Sequence, residues 1–435
     1  MPSAASPARS RQAAETTARG TAGRLAIPAA PANQASLRRH NLAIVYQLIA
    51  RSAEPLSRAE LSERAGVTRA TASSLVDQLV AGRLVEELDA RTSGRAGRPA
   101  TPVRLARGTV AGLGLEINVD YLGARAVDLA GVTLAERIES ADLAGADPGA
   151  AIGALAELAR RVKRSLNARG TRLTGATLAV AGAVDRASGR LRAAPNLGWR
   201  DVDLGRALRA RLRLGPLNVD NEAALAARAE LAAWGDPAAS FVYVSGGIGI
   251  GAGIVRAGAL DAGAHGWAGE IGHVTVDPTG PACACGSNGC LEQYAGRRAV
   301  LAAIGAGTRA ATGTADGVAR RAAAGDQPTL AALETAGRAL GLALGAALNF
   351  ADVGTVVLGG DFADLAAFLR PPLEAELARR VVSWGWVPAD QTVRVSRAPD
   401  RPALTGAALA AADLVAADPE AHCSPPGPGP EATGG

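Results

Sequence analysis

Cysteine is scarce in this chain of 435 residues: there are four, too few and too unevenly placed for a disulfide framework, and reduced thiols of the cytoplasmic kind are expected. Long apolar sequence is equally scarce. No stretch of about 18 residues is both uncharged and apolar, and the first residues lack a basic segment followed by an apolar one, so neither a membrane span nor an export signal is expected. Lysine is almost missing, Lys163 standing alone among 46 basic residues. That bias, with abundant Ala and Gly, reads as an effect of coding composition rather than of function. What the chain does have is a hydrophobic content of 48%, which supports two or three domains with real cores.

Charge is uneven. Residues 1–110 hold 16 Arg against 8 acidic groups, whereas the remainder holds 30 basic against 33 acidic groups. The basic excess at one end implies an anionic partner there, nucleic acid ahead of membrane because no basic amphipathic helix is evident. The plainer alternative is a solvated Arg-rich surface.

The first 35 residues, rich in Ala, Ser, Pro and Thr without apolar periodicity, are expected to be disordered, with structure from about Asn41. Leu42, Val45, Leu48 and Ile49 then recur at helical spacing. A second helix opens at Ser57, where Ser57 and Glu60 have the spacing of a capping box, Leu56 and Leu61 that of a hydrophobic staple, and Gly66 closes the helix. After a short turn, Thr68 can cap a third helix with Ala72, Leu75, Val76, Leu79 and Val80 inward and Arg69, Thr71, Ser73, Ser74 and Gln78 outward. Two capped helices joined through a glycine turn make a helix-turn-helix. Its outward residues, with Ser57 and Thr68 at the helix starts, are of the types that read base edges and phosphates in a major groove. A strand at Leu84–Leu88, a loop over 91–99 and a strand at Thr101–Leu105 complete a winged helix spanning 36–108. Arg95 and Arg98 sit at the wing tip among glycines, suited to phosphate or minor-groove contact; a module used only for dimerisation is the alternative.

Three of the four cysteines fall in Cys283-Ala-Cys285-Gly-Ser-Asn-Gly-Cys290, with His273 upstream. Three thiols and an imidazole complete a tetrahedral Cys₃His set for Zn²⁺, and the glycines allow a tight loop over 273–290. A closed set leaves no position for water, so the zinc is expected to be structural. A redox pair or unrelated buried thiols is the alternative reading. Cys423, in a Pro/Gly-rich tail over 419–435 expected to be disordered, has no evident partner.

Gly269-Glu270-Ile-Gly-His273, then Val276-Asp-Pro278, then the Cys box running into Cys290-Leu-Glu292-Gln-Tyr294, resemble the signature of the ROK family (repressors, open reading frames, kinases). The resemblance runs from about Asn41 to Asp413, and the helix-turn-helix and Gly97-Arg98-Pro99 also look like the DNA-binding domain of ROK regulators. It implies an α/β, two-lobed actin-like (ribonuclease H-like, sugar-kinase) fold over 109–418. In kinases of this family a first phosphate turn reads Asp-x-Gly-Gly-Thr; here Glu116, Ile117, Asn118, Val119 and Asp120 stand there, without either glycine and with an acid where a hydroxyl should donate. Two like charges about 4 Å apart repel by roughly 4 kcal/mol at an effective dielectric of 20, so ATP would be opposed. The second turn, Gly247-Ile248-Gly249-Ile-Gly251-Ala-Gly253, keeps its glycines but has Ile248 for a Thr. Gly359-Gly360 ends a strand that lies against adenosine in the kinases, or serves as an ordinary tight turn. Glu222 replaces the Asp that acts as base.

The resemblance places Asn221, Glu222, Glu270, His273 and Glu292, with Gly182 and Asn196 on neighbouring loops, around a bound sugar. Carboxylates and amides suit paired hydroxyls; for Glu270 and Glu292 a solvated surface charge is the alternative. His273 is expected to serve chiefly as a metal ligand. The expectation is therefore a sugar-responsive transcriptional repressor, a homodimer or dimer of dimers, that binds a double-stranded DNA operator and a sugar or sugar phosphate and has no catalytic residue. A DNA-binding hexose kinase is the second reading.

Overall fold

The computed structural model describes residues 33–89, 101–236, 238–306, 313–381 and 393–423. Helix α1 (Gln34–Arg51) begins where the Asn33 side chain accepts the Ser36 N–H at 2.8 Å. Structure thus starts ahead of Asn41, and residues 34–35 belong to a helix rather than to a disordered segment, because the cap satisfies a first-turn donor. After strand β1 (Leu56–Ser57), α2 (Arg58–Ala65) opens on the capping box: Glu60 N–H donates to Ser57 Oγ at 3.2 Å and Ser57 N–H to Glu60 Oε2 at 2.8 Å. Gly66 ends it at φ +65°, a conformation that costs glycine no Cβ clash. Thr68 caps α3 (Arg69–Ala81), whose Ala72, Leu75, Val76 and Leu79 are buried. Strands β2 (Val85–Glu87) and β3 (Pro102–Leu105) pair antiparallel, with β1 on the other edge of β3.

Two lobes follow, and they repeat one topology. In the first, β4 (Val110–Ile117), β5 (Tyr121–Asp128) and β6 (Thr133–Ser140) form an antiparallel meander. Strands β7 (Arg172–Val180) and β11 (Leu217–Asn221) extend it in parallel, giving the order β11-β7-β4-β5-β6. Helix α4 (Pro148–Asn167) packs its Leu155, Leu158 and Val162 into this lobe's core. A separate small sheet, β8 (Ala183–Asp185), β9 (Arg190–Ala194) and β10 (Trp199–Val202), stands beyond the end of β7 and leads into α5 (Leu204–Arg211). Helix α6 (Glu222–Trp234) starts directly from β11.

The second lobe repeats the pattern with β12 (Phe241–Gly246), β13 (Ile250–Arg256) and β14 (Ala259–Asp261) as meander and β15 (Val356–Gly360) and β16 (Val393–Val395) in parallel. Its helices are α7 (Glu292–Ala295), α8 (Arg297–Ala303), α9 (Ala315–Ala323), α10 (Gln327–Ala351), α11 (Asp361–Asp364) and α12 (Ala366–Arg380). By length and composition α10 could cross a membrane, but 56% of its apolar window is buried. Its Gly337 and Gly341 lie so close to α12 that an added Cβ would meet Pro372 or Glu376 side chains at 2.5 Å. It is a core helix.

Between the sheets lie α6 and α13 (Pro402–Ala412). Helix α13 rests on the first sheet almost backbone to backbone: a Cβ at Gly112 would meet the Ala408 carbonyl oxygen at 2.1 Å, and one at Gly114 that of Leu404 at 2.3 Å. On its other side, Gly406 faces the Leu225 carbonyl of α6, which a Cβ would meet at 1.7 Å. The chain then continues through α14 (Leu414–Ala417) to α15 (Pro419–Cys423) against the winged helix. Residues 419–423 are therefore helical and not part of a disordered tail. Folded surfaces hold them: the Arg172 guanidinium donates to Gly82 O at 2.8 Å and His422 O at 3.0 Å, and half-buried Cys423, expected to be without a partner, packs on Gly82. Val110 and Val415 share the winged-helix core with Leu42, Leu61, Leu75 and Val103.

Gly406→Ala is expected to destabilise the protein by about 3 kcal/mol or more, since the clash is with backbone on a packed helix. Gly153→Ala, in α4 with nothing within 4 Å of the added methyl, is expected to be neutral or stabilising by up to about 1 kcal/mol. Urea denaturation of both variants measures the contrast.

Candidate functional site

The cleft is built from strand ends of both lobes. Asn221 ends β11 and caps α6, its Oδ1 accepting Ala223 N–H at 2.8 Å, while its Nδ2 donates to Gly182 O at 3.0 Å. That bond ties the loop after β7 to the start of α6 and places Glu222 on the first helical turn. The Asn118 amide donates to Glu222 Oε2 at 3.3 Å. From the second lobe, Glu292 Oε2 accepts the Ile250 N–H at 3.2 Å. Gly249 lies where a Cβ would meet Asn196 Nδ2 at 2.8 Å and Glu292 Oε2 at 2.9 Å. Gly182, Asn196, Asn221, Glu222, Glu270 and Glu292, distant in sequence, thus converge on one cleft.

Its electrostatics are acidic. Burial pushes the Glu222 carboxyl up to about 7, the Asn118 hydrogen bond opposing and Glu270 reinforcing the shift. Glu270 is raised for the same first reason, with His273 opposing and Glu292 reinforcing. Behind them Glu116, 1% exposed, accepts the Tyr121 hydroxyl at 2.6 Å through Oε1, while its Oε2 has no hydrogen-bond partner among the described residues. Burial lifts Glu116 to about 8, the Tyr121 hydrogen bond opposing and Glu222 adding to it. Glu116, in sequence only a phosphate-turn position, lies buried behind the cleft.

The turns expected to have lost phosphate binding are occupied by the protein's own groups. Asp120 faces a cation: Arg297 donates to Asp361 at 2.6 and 2.7 Å and reaches Asp120 at 3.5 Å, joining the two lobes through one guanidinium. The retained glycines have packing reasons. A Cβ at Gly359 would meet the Tyr243 hydroxyl at 2.0 Å, one at Gly360 the Gly246 carbonyl at 2.2 Å, and one at Gly253 the Ala227 methyl of α6 at 2.5 Å.

The cysteine loop is a compact knuckle. Cys283 N–H donates to Ser287 O at 2.8 Å and Gly286 N–H to Cys283 O at 3.0 Å. Gly289, at φ +60°, presses on the Asp277 carbonyl, which a Cβ would meet at 1.6 Å. Ligand atoms of His273, Cys283, Cys285 and Cys290 all lie within 4.8 Å of one another; Cys283 Sγ is 3.8 Å from His273 Nδ1 and Cys285 Sγ 3.6 Å from Cys290 Sγ. A tetrahedron with metal–sulfur bonds near 2.3 Å has edges of about 3.8 Å, so the set can hold a metal ion. The arms of the loop carry Glu270 and Glu292 at their outer ends.

On the winged helix, Arg69 and Ser74 are exposed and Thr71, Ser73 and Gln78 half-buried. The hydroxyls of Ser57 and Thr68 are engaged in capping. Arg38 of α1, which no local pattern marked as a DNA-facing residue, donates to Ser74 Oγ at 3.3 Å and Gln78 Oε1 at 3.0 Å. It adds a guanidinium to the outward face of α3. Arg95 and Arg98 lie outside the described residues.

Glu116 generates a pH prediction. A carboxyl whose folded value is raised contributes stability that is fully present below its unfolded value and is lost as pH rises through the folded one. Wild-type thermal stability is therefore expected to fall between about pH 5 and pH 8, and Glu116→Gln to remove on the order of 3 kcal/mol of that fall. Melting curves across this range check it.

Comparison with known proteins agrees with these features. Residues 113–413 match the model of the ROK family, and residues 45–96 that of the MarR family. The Bacillus subtilis xylose repressor is 28% identical over 81% of this chain and 90% of its own length. A putative xylose repressor of Caldicellulosiruptor is 34% identical over 57% of this chain, and the match spans 62% of that relative's length. The crystal structure of a ROK family transcriptional regulator, a homologue of the Escherichia coli MLC protein, superposes with a TM-score of 0.71 at 25% identity, covering 87% of this chain and 97% of that one. The chain belongs to the ROK family and carries a MarR-type winged helix ahead of its two-lobed, actin-like ROK domain.

Proposed function

We propose that the protein is a sugar-responsive transcriptional repressor of carbohydrate-metabolism genes, acting in the cytoplasm as a homodimer on an inverted-repeat operator. The observation that carries this reading is the physical continuity of the two halves: Val110 of first-lobe strand β4 and Val415 of α14 are core residues of the winged helix. In this reading Arg69, Thr71, Ser73, Ser74 and Gln78 face the major groove, helped by Arg38, with Arg95 and Arg98 on the wing. Asn221, Glu222, Glu270 and Glu292 hold sugar hydroxyls beside Gly182 and Asn196. The acidic lining of the cleft, with Glu270 and Glu292 beside Glu222, favours a neutral sugar over a sugar phosphate, since any carboxylate ionised there repels phosphate. The relatives named xylose repressors make a pentose the first ligand to test.

The metal is a structural Zn²⁺ held by His273, Cys283, Cys285 and Cys290, which would fix the loop bearing Glu270 and Glu292. The alternative, a hexose kinase, is opposed by three features: Asp120 at the first phosphate turn, an Arg297–Asp361 pair across the nucleotide side, and Glu222 one methylene longer than the family base. A displacement of about 1 Å costs on the order of a hundredfold in rate.

Three variants test the reading. Cys285→Ser is expected to lose stoichiometric zinc and melt at lower temperature; wild-type protein without zinc by elemental analysis would count against the metal. Arg69→Ala is expected to weaken operator binding by about 1–3 kcal/mol with relaxed base preference. The inducing sugar should change operator affinity by roughly 5- to 150-fold. Glu270→Ala should bind operator but ignore the sugar, in a fluorescence-anisotropy titration; a mutant that responds as wild type does would refute the site.

A further inference from the structure

Beside the cleft lies an open groove of about 840 Å³, walled by Asp185, Arg186, Arg192, Arg200 and Asp201 of the first lobe and by residues 262–267 of the second. That volume falls in the range of ligand sites larger than a single sugar ring requires. The second-lobe wall is a built loop. Ala268 N–H donates to Ala262 O at 3.2 Å, and Gly263 and Gly266 turn it at φ +69° and +82°. Gly266 seats against the first lobe, where a Cβ would meet Arg186 Cδ at 2.8 Å.

This loop presents Trp267. Trp199 is 4% exposed with its Nε1 bonded to Ala146 O, and Trp234 stacks on Phe241 at 4.8 Å; both are structural. Trp267 is 46% exposed, its ring tilted against His265 at 5.3 Å. An indole held on a tight loop with a face open to a groove is an apolar platform without its occupant. The opposite wall offers polar groups that are already oriented. Arg192 is held by Asp185 at 3.3 Å and by Asp201 at 3.4 Å, and Arg186 by Asp220 at 3.0 Å. Arg200 lines the groove with no acidic partner among the described residues.

Each wall of the groove adjoins cleft residues along the chain. Arg186 pairs with Asp220, the neighbour of Asn221, and Trp267 precedes Glu270 by one short turn. Two of the groove's three arginines are already paired with aspartates, so the groove suits a neutral occupant rather than a polyanion. We infer that it is a second carbohydrate subsite and that the effector is an oligosaccharide, a disaccharide or longer, with one ring among Asn221, Glu222, Glu270 and Glu292. The next ring lays its C–H face on Trp267 and its hydroxyls toward Arg192, Arg200 and their carboxylates. The inference rests on the reading of the cleft as a sugar site. Because the walls belong to different lobes, the second ring would bridge them.

Calorimetric titration of the zinc-loaded full chain with matched pairs tests it: xylose and xylobiose, glucose and cellobiose, N-acetylglucosamine and chitobiose. For the cognate pair the disaccharide is expected to bind at least about tenfold more tightly than the monosaccharide. In Trp267→Ala that ratio should fall toward one, and in Arg200→Ala, an exposed position, it should fall part of the way. A cognate monosaccharide that binds as tightly as its disaccharide, or a ratio unmoved in both variants, overturns the subsite and leaves the cleft standing. Binding of no sugar of either length overturns the cleft reading as well.

Discussion

Everything in this protein is arranged around the seat of α13 between the two sheets. Gly112 and Gly114 strip β4 of side chains where the helix crosses it, and Gly406 strips the helix where α6 crosses. Contact at this range forfeits the side chains that would otherwise fill the space and gains dense backbone packing, with alanines completing the interface. The lobes thereby share one pair of helices. The first turn of α6 carries Glu222 into the cleft, while the far end of α13 passes into the segment that packs on the winged helix.

The same close packing accounts for the glycines that line the second lobe's strands and the turns at their ends. Glycines at 251, 253, 359 and 360 persist because strands and helices approach too closely for a Cβ. Asp120, Arg297 and Asp361 form an ion chain between the lobes. Glu230, 1% exposed, shows a parallel solution on the other side of α6: it accepts the Ser396 hydroxyl at 2.6 Å and the Arg397 and Ala398 N–H groups at 2.9 Å, fixing the loop that precedes α13. A buried carboxyl group is tolerated there because its oxygens are hydrogen-bonded. Glu116 is the exception, with one oxygen unpartnered among the described residues at the back of the cleft.

The cysteine loop supplies rigidity where secondary structure cannot. Its arms meet at the Thr275–Cys290 bridge, and Tyr294 OH donates to Asp277 Oδ2 at 2.9 Å. Two acidic residues at the ends of such a knuckle inherit its fixed geometry, which a free loop of similar length would lack.

Local chemistry was legible in the sequence because it acts over a few residues. The Ser57–Glu60 box, Gly66, the Thr68 cap and the inward face of α3 depend only on near neighbours, and so does the ligand spacing of the cysteine loop. The repeated lobes were legible through resemblance rather than pattern. What only the tertiary structure decided are contacts between distant segments. The start of α1 at Asn33 and the helix at 419–423 are such cases: their composition reads as disorder, yet the Asn33 cap and the Arg172 bonds hold them. Arg38 reaches α3, Arg297 links Asp120 to Asp361, and Glu116 sits behind Glu222 for the same reason. Sequence sets which groups a segment can offer; which of them meet, and how far from water, is settled when the sheets close on α6 and α13.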